Sequence, residues 1–167
     1  MKRLFTTLVF LLCTLSLCQA QNEVDNPSIS IAMIASDMDA SYDFYTNIIG
    51  MVETGGFSID GSFGEKSGLT GGTPYDVKIL KLLDEPHSTE FKLASFGNPK
   101  EESGKVIQDK NGVRYITIYL KSTAEVLQRI KDNNIETLGD TPIQLPDGRN
   151  FILIQDPDGL FIELIGK

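Results

Sequence analysis

One pattern runs twice along this chain, and the duplication limits what the chain can fold into. Ser28 to Ala35 alternates, with Ile29, Ile31 and Met33 on one side, as a half-buried strand does. Ser36-Asp-Met-Asp39 has the spacing of a helix-opening capping box. Met38, Tyr42, Tyr45 and Ile49 follow at helical spacing, and Gly50 closes the helix. Met51 to Ile59, Asp76 to Leu83 and Thr89 to Phe96 read as three more strands. From Val113 the order begins again: a strand at 113–120, a second capping box at Ser122-Thr-Ala-Glu125, and a helical stripe through Ala124, Leu127 and Ile130. Strands at 141–145, 149–155 and 159–165 complete it. Module one is 28–96 and module two is 113–167, with a polar linker at 97–112. Each module is strand–helix–strand–strand–strand. Side by side they predict an α+β fold: an eight-stranded curved mixed sheet, an open barrel around a cleft with the helices outside. Residues 60–74, rich in Gly and Ser, read as a long loop or lid.

The last strand carries an anomaly. Asp156-Pro-Asp-Gly159 is strong turn chemistry, and the run that follows is apolar on both faces. Glu163 interrupts it. An unpaired carboxylate in a buried strand costs several kcal/mol, so Glu163 needs either a partner or a wet cavity.

Lys2 and Arg3, the apolar stretch Leu4 to Leu17 and the small residues before position 21 read as a signal peptide over 1–20, followed by a flexible lead-in at 21–27. The apolar stretch is shorter than the about 20 residues a bilayer needs. Export to the periplasm or medium is expected, with a lipid anchor at Cys18 as the alternative to a soluble product. Both cysteines, Cys13 and Cys18, leave with the leader, so the remaining domain has no thiol nucleophile and no disulfide. Loss of Lys2 and Arg3 takes the net charge from −8 to −10. An acidic domain without a basic patch excludes nucleic acid, and no membrane association is expected after cleavage; a small-molecule ligand is the expected partner. The one histidine, His87, stands in a turn and forms no catalytic triad. Gly64, Gly68, Gly71 and Gly72 do not link a strand to a helix, so no phosphate cradle follows.

The stretch 36–51, Ser-Asp-Met-Asp-Ala-Ser-Tyr-Asp-Phe-Tyr-Thr-Asn-Ile-Ile-Gly-Met, resembles the first-helix signature of the vicinal oxygen chelate superfamily. That group includes glyoxalase I, extradiol dioxygenases and bleomycin resistance proteins. Asp156-Pro-Asp-Gly-Leu-Phe-Ile-Glu-Leu resembles its closing signature, and Phe63-Gly-Glu-Lys-Ser-Gly68 is similar to a loop of some members. The resemblance covers the whole domain at 28–167. It implies a cleft holding one divalent metal on four side chains, normally His, Gln or Glu. Carried over by strand register, those positions are Ser30, Lys92, Tyr115 and Glu163. Of these only Glu163 is a metal ligand, and a slip of two residues would exchange Lys92 for Glu90.

A degenerate metal site is therefore expected, with no cofactor; a divalent metal in an atypical site around Glu163 is the alternative. Lys92 is expected to take the place of the cation and pair with Glu163. Ser30, Glu90, Lys92, Tyr115, Thr117, Tyr119, Phe161 and Glu163 would line the ligand cleft. If catalysis remains, Glu163 would act as base with Tyr115 or Lys92 as acid. Three functions follow: a metal-free small-molecule-binding protein, a glyoxalase-like lyase, isomerase or dioxygenase, or a non-catalytic interaction protein. A homodimer is implied by analogy.

Overall fold

The computed structural model describes residues 24–167. The stretch expected to be a signal peptide and the start of the expected lead-in lie outside the described residues. In chain order the elements are β1 (Ser30–Ile34), α1 (Met38–Asp43) running into a π-helix (Phe44–Ile49), β2 (Val52–Ile59), α2 (Gly61–Ser67), β3 (Tyr75–Lys81) and β4 (Glu90–Ala94). After a short 3-10 turn (Ile107–Asp109) come β5 (Tyr115–Tyr119), α3 (Ala124–Asp132), β6 (Ile143–Gln144), β7 (Asn150–Gln155) and β8 (Phe161–Gly166).

The eight strands form two four-stranded mixed sheets, ordered β1-β4-β3-β2 and β5-β8-β7-β6. In each, the first strand runs parallel to the last, and the others pair antiparallel. The duplication is visible in the bonds that end these parallel pairs. Ala35 N–H donates to the Ala94 carbonyl in one module, and Leu120 N–H to the Ile165 carbonyl in the other. One face of each sheet packs on the helices. Leu80, Leu93, Ile152, Ile162 and Leu164 from the sheets join Tyr45, Ile48, Val126 and Ile130 from the helices in a single core shared by both modules. Each of these side chains contributes about 1.5–3 kcal/mol by leaving water. The other face of each sheet is the concave one.

Several local expectations change. Ser36 does not open α1: Asp37 is the N-cap, its carboxylate accepting from Ala40 N–H at 3.1 Å. In module two Thr123 is the N-cap without a capping bond: its hydroxyl oxygen accepts from Asn150 Nδ2 at 3.1 Å while the hydroxyl donates to the Lys167 carbonyl. The two predicted capping boxes fail differently: the Ser36 hydroxyl bonds Asp158 of the other module, whereas the Ser122 hydroxyl accepts locally from Ala124 N–H at 3.3 Å. The segment expected as a bare loop at 60–74 contains α2. Asp60 caps it by accepting from Phe63 N–H, and Gly68 at φ 76° ends it. The first helix changes pitch at Phe44, widening into the π-helix; Gly50, at φ 92°, closes it. Its last carbonyls, Ile48 and Ile49, accept from the Arg129 guanidinium of α3. Among the described residues, no helix is long and apolar enough to cross a membrane.

Candidate functional site

The strand register places the predicted residues in rows across the concave faces. In module one, Val52, Lys81, Glu90 and Ser30 form one row, and Gly55, Ile79, Lys92 and Ala32 the next. In module two, Gln155, Phe161 and Tyr115 form a row, and Leu153, Glu163 and Thr117 the next. Ala94 and Ile165 accept the equivalent closing bonds, and Lys92 and Glu163 each lie two residues before them. The two are therefore counterparts in the repeat, one an ammonium and the other a carboxylate.

They do not pair. Lys92 Nζ lies 3.7 Å from Glu90 and 5.9 Å from the centre of the Phe57 ring. Lys81, a row neighbour of Glu90, approaches it from the other side at 3.8 Å, and the Ser30 hydroxyl donates to it at 3.0 Å. Glu90 is thus enclosed by two lysines and a serine. The expected Lys92–Glu163 bridge is not made, because Glu90 stands on the same strand face and meets the ammonium first.

Glu163 is half-buried, and Oε2 accepts from the Thr117 hydroxyl at 2.6 Å. No lysine, arginine or histidine among the described residues lies within salt-bridge reach of it. It opens onto a cavity of about 530 Å³. Phe161 and Leu153 from the sheet, Val106 and Ile107 from the linker, and Leu138 and Ile143 before β7 supply its apolar walls, with Lys105, Gln108, Asp140 and Thr141 also present. The linker is therefore more than a connection. Gln155 donates to the Gly104 carbonyl at 2.8 Å, and Arg114 lies 5.5 Å over the Phe161 ring while donating to the Ile107 carbonyl. Those contacts hold 104–108 across the concave face and leave Phe161 only 1% exposed.

Of the residues expected to line one cleft, Phe161 and Glu163 share this cavity, with Thr117 bonded behind Glu163. Ser30, Glu90 and Lys92 stand on the other sheet, and Tyr115 and Tyr119 are 48% and 71% exposed. The linker residues escaped sequence reasoning because a polar connection carries no sign of what it will cover.

A second polar group joins the modules. Asp156, 9% exposed, accepts from the Tyr45 hydroxyl at 2.7 Å on Oδ2, and from Asp158 and Leu160 N–H on Oδ1. Asp158 accepts from Ser36 N–H, the Ser36 hydroxyl and the Ser41 hydroxyl. Burial holds the Asp156 carboxyl above its ordinary range, against the pull of the Tyr45 hydrogen bond. Tyr45 is pushed well above the usual phenol range, first by burial and then by the Asp156 charge. The π-helix puts Tyr45 here, and the Asp156-Pro-Asp-Gly turn supplies both acceptors.

The donor set does not suit a resident transition metal. Glu90 already faces two ammonium groups, and among the described residues no three His, Cys, Asp or Glu side chains converge on one point.

Comparison with solved structures places the architecture. A glyoxalase family protein from Bacillus cereus superposes with a TM-score of 0.68 at 14% identity, over 86% of this chain and 94% of that one. Glyoxalase I from Leishmania major gives 0.55 at 20% identity, over 82% and 84%. Glyoxalase I from Zea mays gives 0.61 at 21%, over 83% of this chain and 43% of that one. Identities this low carry the fold alone. No curated protein sequence matches the chain. The sequence model of the Glyoxalase/Bleomycin resistance protein/Dioxygenase superfamily matches residues 29–164, which takes in both modules and the linker. With both repeats and the connecting segment inside that match, the chain belongs to this superfamily.

Proposed function

We propose that this protein is an exported member of the superfamily that binds a small molecule beside Glu163 without using a metal. One contrast carries the reading: at equivalent positions of the repeat, module one presents the Lys92 ammonium and module two the Glu163 carboxylate. An ammonium beside Glu90 repels a divalent cation, while the carboxylate faces an apolar-walled cavity of a size suited to a small ligand. The concave face of module one, where Ile34, Val52 and Phe57 stand exposed, is the expected contact between two copies in a homodimer.

Metal analysis of the purified chain, parent against Glu163→Ala, tests the metal-free reading. Stoichiometric metal that disappears with Glu163 overturns it. A thermal-shift screen tests binding, since a ligand that prefers the folded state raises the melting temperature. Fractionation of cells making the full chain tests export, and retention of the uncleaved protein in the cytoplasm counts against it. Sedimentation velocity on the parent and on Phe57→Glu tests the pairing: a dimer that survives the substitution removes this face from the proposal.

A further inference from the structure

We infer that the ligand of the module-two cavity is a small organic cation, an ammonium group carried on an apolar body. The inference rests on the cavity-binding reading and names its ligand class. Glu163 has two carboxylate oxygens in a half-buried position, and the Thr117 hydroxyl serves Oε2. Oε1 has no hydrogen-bond donor among the described side chains and no cation within reach. A carboxylate partly withdrawn from water and left without a positive partner favours any ligand that brings one.

The surroundings state what else the ligand must be. Val106, Ile107 and Ile143 line the cavity yet remain 45%, 46% and 47% exposed, so apolar surface at the mouth still awaits a cover. Leu153 stands beside Glu163 on the sheet and offers an apolar floor, with Phe161 already packed beneath the linker. Two other charges line the cavity, Lys105 and Asp140, and both are exposed to solvent. Water screens them, and their signs oppose, so the half-buried Glu163 decides the preferred charge. Arg114, the nearby half-buried cation, is turned toward the linker, where it donates to the Ile107 carbonyl and covers the Phe161 ring. The net charge of −8 adds a long-range attraction for cations over anions.

The test uses three probes with one apolar body and different heads: tryptamine, tryptophol and indoleacetate. Calorimetric titration at neutral pH compares the full chain with its Glu163→Gln and Ile143→Trp variants. The expected result is tryptamine binding about tenfold or more tighter than tryptophol, with indoleacetate weakest. Glu163→Gln keeps an acceptor for Thr117 and is expected to bring tryptamine down to the tryptophol level. Ile143→Trp fills the mouth and is expected to weaken tryptamine and tryptophol alike. Equal binding of amine and alcohol to the parent overturns the cation inference and leaves the cavity-binding reading in place. Tryptamine binding unchanged in Ile143→Trp overturns the location. No binding of any probe overturns the inference and withdraws support from the cavity reading as well. Circular dichroism melts of both variants confirm that each is folded before titration.

Discussion

Removing one hydroxyl from Tyr45 is the sharpest test of how the two modules are held together. Tyr45→Phe keeps the ring in the core and deletes the donor that reaches Asp156 Oδ2 at 2.7 Å. Oδ1 keeps its two backbone donors, so the aspartate stays in place while Oδ2 loses the partner it has. A hydrogen bond to a charged group is worth about 1.5–3 kcal/mol, and the stranded oxygen is buried, so the loss should be about 2 kcal/mol. In a chain of this size each kcal/mol moves the melting temperature by about 2–4 °C, which gives a fall of about 4–8 °C. The pH dependence is the diagnostic part. Burial already holds the Asp156 carboxyl above its ordinary value of 3.8, and the tyrosine bond pulls it down. Without that bond the folded-state value rises further. A group raised on folding contributes stability below its unfolded value and loses it as the pH climbs through the folded one. The variant should therefore be penalised more at neutral pH than near about pH 4, where the protonated carboxyl needs the donor less. Urea and thermal melts of parent and variant at both pH values measure this. An equal loss at both, or a loss under about 0.5 kcal/mol, refutes the argument, since surface-like substitutions fall in that range.

Other substitutions probe the same frame. Asp156→Asn removes the titrating group and leaves one acceptor oxygen, enough for the Asp158 and Leu160 N–H groups, with the amide nitrogen facing Tyr45. Its deficit relative to the parent should shrink as the pH rises from about 4 to neutral in urea melts. Arg129→Met strips the donors from the Ile48 and Ile49 carbonyls and should cost about 1–3 kcal/mol in chemical denaturation, with Arg129→Lys recovering less than half. Gly159→Ala puts a side chain at φ 88° and into Ser103 of the linker. It should cost about 1–2 kcal/mol for the backbone alone, with a further loss that Ser103→Gly partly restores, read from thermal melts of the single and double variants.

The duplicated pattern was legible because it rests on local signals: alternation in strands, turn residues at Asp156–Gly159, and glycines after helices. Those signals place every strand to within a few residues and both principal helices. The errors lie where a side chain serves a distant partner. Ser36 looks like a cap but bonds Asp158 from the other module, and nothing near Ser36 announces that. Asp156 is readable as a turn residue through its bonds to Asp158 and Leu160, while the bond to Tyr45, 111 positions away, leaves no local trace. The helix at Gly61–Ser67 was hidden by its glycines, although Asp60 and Gly68 bracket it as caps. At the candidate site, the sequence drew attention to Glu163 as a carboxylate in a buried strand, and the structure places it half-buried at the edge of a cavity. The partner chosen for it was wrong, because alternation puts Glu90 beside Lys92 on one face, and the closer carboxylate takes the ammonium.

The division of the strands into two separate sheets has a consequence for how the chain reaches its native state. Every ladder bond joins residues of the same half, so sheet registration involves loops closed within 30–94 or within 115–166. Closing a loop costs entropy that grows with its length, so each half can register its strands without waiting for the other. What remains is docking: the π-helix against α3, and Tyr45 and Ser36 onto the aspartates of the closing turn. Mutations at that junction should therefore act mainly on the unfolding rate, and mutations in the ladders on the rate of folding.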